Sequence, residues 1–184
     1  MSIKWEKLME NEKRQFERMN EHDKFVYFLL LQYGSPYGWG MENPISADCS
    51  GKVCMALFAA TGLLIRTTAD DLLKRVFTKV NPRNTEIRAV FYITKKNQKH
   101  GDRMVAAGTA THICGFVDDS VVLNSEQPTA RVRYIMNVSN WFQKEGYETV
   151  VRGLDRSALE RLAKEGKTVY GLDKEFHDFF NVRA

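Results

Sequence analysis

The chain has 184 residues, of which 43% are hydrophobic and 27% charged, and its formal net charge is +4. This composition predicts a single globular domain over residues 1–184 with a hydrophobic core of its own. No apolar run approaches the ~20 residues needed to cross a bilayer, and the charged start lacks the apolar stretch of a secretory signal peptide. We therefore expect synthesis in the cytoplasm, no membrane insertion and no visible export label.

Three cysteines and four histidines limit the chemistry that the chain can carry. An odd number of cysteines argues against a disulfide framework and for reduced thiols. Cys49 and Cys54 are not a zinc pair, because five residues correspond to about 140° of rotation on a helix. No basic cluster interleaved with aromatic residues indicates nucleic-acid binding. We expect no metal, no cofactor and no nucleic-acid partner.

The predicted helices lie in the first half of the chain. Residues 4–32 form an N-terminal helix whose apolar residues are concentrated near its end. Glycine and proline then interrupt the chain at residues 33–40. A second helix follows Asp48 and ends at Gly62, and a shorter one begins after Thr67 or Thr68.

The second half of the chain changes to strand patterns, rich in β-branched and aromatic residues. The predicted strands cover residues 87–94, 104–107, 111–117, 121–124, 130–138, 149–151 and 168–172. The polar loop 95–102 is expected to leave His100 solvated, and a helix is predicted from about residue 157 to 164. Helices first and strands later indicate an α+β layout rather than alternating βαβ units.

The element Asp48-Cys49-Ser50-Gly51 is the strongest candidate for chemistry. Asp48 has the side chain of a helix N-cap, so Cys49 falls in the first turn of the second helix. A thiol at this position lies among unpaired N–H groups and at the positive end of the helix dipole, and both stabilise a thiolate. The pattern is therefore typical of a nucleophilic cysteine.

His112 is the best candidate for a base that serves Cys49, although taken alone it is equally well explained as a core histidine. A three-residue hairpin loop at 118–120 places Cys114 opposite Asn124, with His112 diagonal to Asn124 on the same face. A two-residue loop would move Asn124 to the other face. The asparagine oxygen would then accept from the imidazole N–H and orient the ring. Glu126, opposite His112 in this register, is a second candidate for that role.

These residues resemble the NlpC/P60 family of cell-wall cysteine peptidases. The resemblance rests on Tyr37-Gly38-Trp39-Gly40, on Asp48-Cys49-Ser50-Gly51 and on His112 at the start of a strand, followed by a polar residue on the next strand. The Asp-Cys-Ser-Gly element on an apolar helix is its most specific part. The family's His-x-Gly is here His112-Ile113-Cys114, and Met41 replaces the last glycine of its Tyr-x-Trp-Gly-Gly.

The resemblance implies a papain-like fold, in which the cysteine helix packs on an antiparallel sheet that carries the base. A motif-bearing core at about 33–126 would then be flanked by the helix 4–32 and a C-terminal elaboration at 127–184. The implied activity is hydrolysis of peptidoglycan stem peptides or muropeptides at the D-γ-glutamyl bond to a diamino acid. The implied catalytic residues are Cys49, His112 and Asn124, and the implied substrate-binding residues are Tyr37, Asp48 and Ser50. Helix capping explains Asp48 and Ser50 equally well.

Other functions remain compatible with the sequence. A structural or binding module, such as a phage tail component, would keep the fold with little turnover. An amidase or acyltransferase acting on a substrate outside the wall would use the same chemistry. Delivery is also open, because a phage lysin released through a holin and a cytoplasmic muropeptide-recycling enzyme would both lack an export signal.

Overall fold

Three complete helices precede the sheet in this computed structural model, which describes residues 13–40 and 46–166. They are α1 (Glu21–Leu31), α2 (Cys49–Thr61) and α3 (Ala69–Arg75). A helical stretch at 13–18 ends before Asn20, whose side chain accepts from the Asp23 N–H at 2.8 Å and caps α1. The prediction of one helix over 4–32 is therefore wrong at Met19 and Asn20, because the asparagine cap starts a new helix.

Five antiparallel strands form the main sheet in the order β6-β5-β4-β1-β7. Within the described residues the seven strands are β1 (Arg88–Thr94), β2 (Gln98–His100), β3 (Arg103–Val105), β4 (Ala110–Asp118), β5 (Val121–Ser125), β6 (Ala130–Tyr134) and β7 (Tyr147–Gly153). β2 and β3 pair separately as a short hairpin. Two later helices are α4 (Ile135–Lys144), between β6 and β7, and α5 (Arg156–Glu165). The predicted α+β fold, with helices packed on an antiparallel sheet, is confirmed.

The central helix α2 is held between α1 and the sheet. Its N-cap is Asp48, and Gly62 ends it in the left-handed conformation with φ 71°, as predicted. α1 approaches β4 closely at Gly115, where a Cβ atom would lie 2.5 Å from Leu29 Cδ1 and 3.2 Å from Phe25 Cζ. The strand that carries His112 is therefore tightly fixed to the helical layer.

Opposite faces of the sheet bury two separate apolar clusters. The first unites α1, α2, α3 and α5 with one face, through residues such as Phe25, Leu57 and Phe91. The second lies under α4 and includes Tyr92 and Phe142. α4 therefore covers the face of the sheet that the N-terminal helices leave open.

One predicted strand and one predicted loop differ in kind from the structure. The strand expected at 130–138 ends at Tyr134, where α4 begins, because Ile135, Val138 and Phe142 recur at helical spacing and pack on the sheet. The polar loop expected at 95–102 forms part of the β2–β3 hairpin. The helix predicted at 157–164 is confirmed as α5, and the strand predicted at 168–172 lies outside the described residues.

Candidate active site

The first residue of α2, Cys49, is at the edge of a cavity of about 1050 Å³ that His112 and Asn124 also line. Its N-cap is in place, because Asp48 Oδ1 accepts from the Gly51 N–H at 2.7 Å. The backbone of Ile113, the residue next to His112 in β4, is close enough to the Cys49 sulfur to act on its pKa. The three residues that the sequence indicates as catalytic therefore line the same cavity.

Burial is the main influence on the pKa of Cys49, which is only 8% exposed. Burial first, and the neighbouring Asp48 carboxylate second, raise the pKa of Cys49 to about 12. Hydrogen bonds from the backbone of Ile113 and Ser50, and the charge of Arg66, act in the opposite direction without cancelling this rise. Burial therefore favours the neutral thiol of Cys49, whereas the start of the helix acts in the opposite direction and favours the thiolate.

His112 is oriented by a direct hydrogen bond to Asn124. Its Nε2 lies 2.7 Å from Asn124 Oδ1. An amide oxygen only accepts, so Nε2 carries the hydrogen and Nδ1 of the neutral ring is left as the proton acceptor. The ring also stacks on Phe142, with ring centroids 5.0 Å apart, and lies beside Tyr92. The predicted contact between His112 and Asn124 is confirmed.

Opposing effects act on the pKa of His112. Burial acts to lower it, but contacts with Cys114 and Asn124 and the charge of Asp48 outweigh burial, so the pKa of His112 is raised above 6.5. The Cys114 thiol donates to the same Asn124 oxygen at 3.3 Å. Cys114 is therefore part of the surroundings of the base, as its shared face with His112 predicts.

Two irregularities in β4 set the position of His112. Asp118 pairs with Val121, so the hairpin turn has two residues rather than the predicted three. A bulge at Val117 compensates, and Gly115 still pairs with Leu123 in the predicted register. A second bulge at Thr111 separates the pairs Tyr92↔His112 and Ile93↔Ala110. β-bulges re-aim side chains, and both of these flank the segment that carries the base.

Glu126 does not contact the His112 ring in the set of hydrogen bonds that the structure shows. Its Oε2 accepts from Asn124 Nδ2 at 2.6 Å, and its other oxygen accepts from Arg133. Of the two candidates that the sequence left open, Asn124 therefore touches the imidazole, and Glu126 touches Asn124.

Asp48 is the centre of a buried polar network. Its carboxylate accepts from the Gly40 N–H at 3.1 Å, from Ser50 Oγ at 2.9 Å and from Arg66 at 2.9 Å, besides the Gly51 N–H. Arg66 is 1% exposed and also donates to Ser50 Oγ. The carboxylate's four acceptor sites are thus engaged within the protein, which favours the capping interpretation of Asp48 and Ser50. Both residues nevertheless line the cavity, as does Tyr37.

Several further side chains complete the cavity wall. The sequence predicts a solvated His100 in a loop, and this prediction is wrong. The residue lines the cavity, with its Nδ1 3.3 Å from the Tyr147 hydroxyl. Burial first, and the proximity of His112 second, lower the pKa of His100. Trp39 and Trp141 also line the cavity and are 59% and 58% exposed. The feature that marks these two tryptophans is their exposure beside the site, and exposure is not visible in a sequence.

Neither a metal centre nor a spanning helix is found in the part of the chain that the structure describes. No cluster of three or more His, Cys, Asp or Glu residues there is arranged to hold a metal ion. None of the helices within 13–40 and 46–166 combines the length and the apolar character that a membrane crossing requires.

A cysteine at a helix N-terminus, beside a histidine strand of an antiparallel sheet, defines the papain-like class of α+β domains. The family model of the NlpC/P60 family matches residues 34–152, and the chain belongs to this family. The match begins close to the predicted start of the motif-bearing core and extends through α4 into β7.

Solved structures of other NlpC/P60 proteins share the fold. An NLP/P60-family protein from Staphylococcus aureus superposes with a TM-score of 0.54 at 16% identity, covering 73% of this chain and 41% of its own. NlpC2 from Trichomonas vaginalis gives 0.51 at 15% identity, covering 74% of this chain and 48% of its own. The chain thus spans less than half the length of these proteins. None of the curated proteins compared with the chain matches it.

Proposed function

We propose that this domain is a cysteine peptidase or amidase that hydrolyses amide bonds of peptidoglycan stem peptides, with the D-γ-glutamyl bond to a diamino acid as its target. The observation that carries the proposal is the shared cavity of Cys49 and His112, with Asn124 Oδ1 2.7 Å from His112 Nε2. Family membership supports the reaction class, and the bond and the substrate belong to the proposal.

In the proposed acylation step, the neutral His112 imidazole takes the proton of the Cys49 thiol as the sulfur attacks the amide carbonyl carbon. The raised pKa of Cys49 makes this proton transfer part of the attack. A carbon–sulfur bond forms, and the carbonyl oxygen becomes an oxyanion. The Cys49 N–H and the Tyr37 hydroxyl are proposed as its donors, and losing one such donor typically costs about 100-fold or more in rate.

Collapse of the tetrahedral intermediate breaks the carbon–nitrogen bond, and His112 returns the proton to the leaving amine. A water molecule then gives a proton to His112 and attacks the thioester carbonyl. The carbon–sulfur bond breaks, the carboxylic acid leaves, and the Cys49 sulfur recovers its proton from the imidazolium. Asn124 stays bonded to Nε2 throughout and keeps Nδ1 available to carry the proton in both steps.

The cavity suits a branched peptide that carries charges of both signs. Its volume of about 1050 Å³ is at the upper end of ordinary ligand pockets. Asp70 contributes an acidic group to its wall and Arg103 contributes a basic one, whereas Glu126 and Arg133 bind each other. A stem peptide with free carboxylates and an amino group offers partners for both.

Digestion of purified sacculi and muropeptides, followed by mass spectrometry of the released fragments, tests the proposal. We expect fragments cut between D-γ-glutamate and the diamino acid from the wild type and from Cys54→Ala, whose sulfur is buried outside the cavity. Cys49→Ala should release none while keeping its fold by circular dichroism. Unchanged hydrolysis by Cys49→Ala would overturn the proposal. Wall binding without turnover by the wild type would instead favour the binding module. Cytoplasmic synthesis with phage- or holin-type release stays a prediction.

A further inference from the structure

The side-chain amide of Asn124 can turn either its oxygen or its NH₂ group toward His112. Only the oxygen keeps the imidazole in the form that can act as a base. The amide oxygen can accept from Nε2–H, whereas the NH₂ group would face it donor against donor. A flipped amide would favour the other histidine tautomer, and Nδ1 would then no longer be the acceptor. Some group must therefore hold the amide in its working orientation.

Glu126 is placed to hold that orientation. Its Oε2 accepts from Asn124 Nδ2 at 2.6 Å, and a carboxylate can only match the NH₂ end of the amide. The Cys114 thiol, 3.3 Å from Oδ1, adds a second donor on the oxygen side. Asn124 is 7% exposed, so water has little access to replace either contact.

Glu126 is itself fixed from β6. Arg133 donates to its Oε1, and Arg131 Nε lies 3.7 Å from the same oxygen. β6 pairs with β5 so that Arg131 lies across from Asn124, and Arg133 lies two residues further along the same face of the strand. The chain of contacts therefore runs from Arg133 through Glu126 and Asn124 to the His112 ring.

From this geometry we infer that Glu126, held by Arg133, is a positioning residue that fixes the Asn124 amide and through it the tautomer of His112. The inference rests on the proposed function for its catalytic consequence, but the geometry of the ring can be measured without any substrate. Glu126 acts through Asn124 and is not a catalytic residue itself.

The kinetic test compares Glu126→Ala and Glu126→Gln with the wild type on a stem-peptide substrate. We expect Glu126→Ala to lower kcat about 10- to 100-fold with KM nearly unchanged. This is the range typical of groups that hold a metal-ligating residue in place, and Glu126 holds Asn124 in a comparable way. Glu126→Gln keeps an acceptor oxygen and should recover part of the loss. Glu160→Ala removes a carboxylate paired with Arg156 on α5, away from the cavity, and should leave the rate unchanged.

A double-mutant cycle separates positioning through Asn124 from a direct charge effect. If Glu126 acts only through Asn124, Glu126→Ala should have no further effect in an Asn124→Ala background. Equal effects of Glu126→Ala in both backgrounds would overturn the inference, since a carboxylate that acts by charge alone does not need the amide.

The third readout is the NMR titration of the His112 ring, which needs no turnover. The ionisable groups around the ring are Cys49, Cys114, Asp48, His100, Tyr92 and Glu126. We expect Glu126→Ala to lower the titration midpoint of His112 and to shift its tautomer, with no change in a background that lacks Asn124. An unchanged midpoint and tautomer would overturn the inference even if the wild type hydrolyses the wall. A wild type without turnover would refute the proposed function and leave this titration as the test.

Discussion

Replacing Arg66 by Met removes the buried cation that faces the Asp48 carboxylate beside Cys49. The pair is 2.9 Å apart, and its side chains are 1% and 11% exposed. Removing one partner of a buried pair leaves an uncompensated charge and typically costs about 3–5 kcal/mol. Asp48 retains three donors, which are the N–H groups of Gly40 and Gly51 and the Ser50 hydroxyl. We therefore expect no larger loss of stability than this.

That cost is a large share of the ~5–15 kcal/mol that stabilises a typical domain. For a domain of this size each kcal/mol lowers the unfolding midpoint by about 2–4 °C, so Arg66→Met should lower it by roughly 6–20 °C. Thermal unfolding followed by circular dichroism measures the shift. Arg75→Met, which removes an exposed pair with Glu165, is the matched control and should change the midpoint little. If both variants shifted the midpoint equally, the buried network would not be what holds the start of α2.

Three further predictions concern packing and protonation. Gly115→Ala should lower the free energy of unfolding, measured in urea, by about 1–3 kcal/mol, because the new methyl group meets Leu29. The loss should be smaller in a Leu29→Ala background, and an equal loss in both backgrounds would contradict this packing. The rate at which iodoacetamide alkylates Cys49 should be low at neutral pH and should still increase above pH ~9.5, because the pKa of Cys49 is raised to about 12. A rate that reaches its plateau below pH ~8 would instead show a thiolate–imidazolium pair. The kcat/KM of the wild type should rise with pH, with a midpoint above 6.5. The pKa of His112 is raised, and its imidazolium must lose a proton before it acts as a base. A midpoint below 6.5 would refute the assignment of His112 as the base.

The parts of the site that the sequence predicted correctly depend on short-range chemistry. Asp48 caps α2 through an N–H three residues away, and Gly62 ends the helix by its own conformational freedom. The rules for helix ends operate within a few residues, so a sequence pattern is enough to apply them. The contact between His112 and Asn124 lies across a hairpin, and its predicted register holds because the bulge at Val117 compensates for the shorter turn.

The parts that the sequence did not predict depend on contacts between distant segments. The ion pair between Arg66 and Asp48 joins residues 18 positions apart in the chain. Beside the bulge at Thr111, the Ala110 N–H donates to Asp70, 40 positions earlier in the chain, at 3.0 Å. The raised pKa of Cys49 comes mainly from burial, which only the packed domain determines. Local pattern therefore indicated the residues, and tertiary packing set their protonation.

The central claim is that the Cys49 sulfur, with His112 as its base, forms a thioester with the acyl part of a wall peptide. Rapid quenching of the wild type with a stem-peptide substrate, followed by intact-protein and peptide mass spectrometry, measures this directly. We predict a mass increase equal to the acyl fragment, located on Cys49 and absent from Cys49→Ala and His112→Ala. Turnover of the same substrate by Cys49→Ala, or an acyl group found on another residue, would contradict the account.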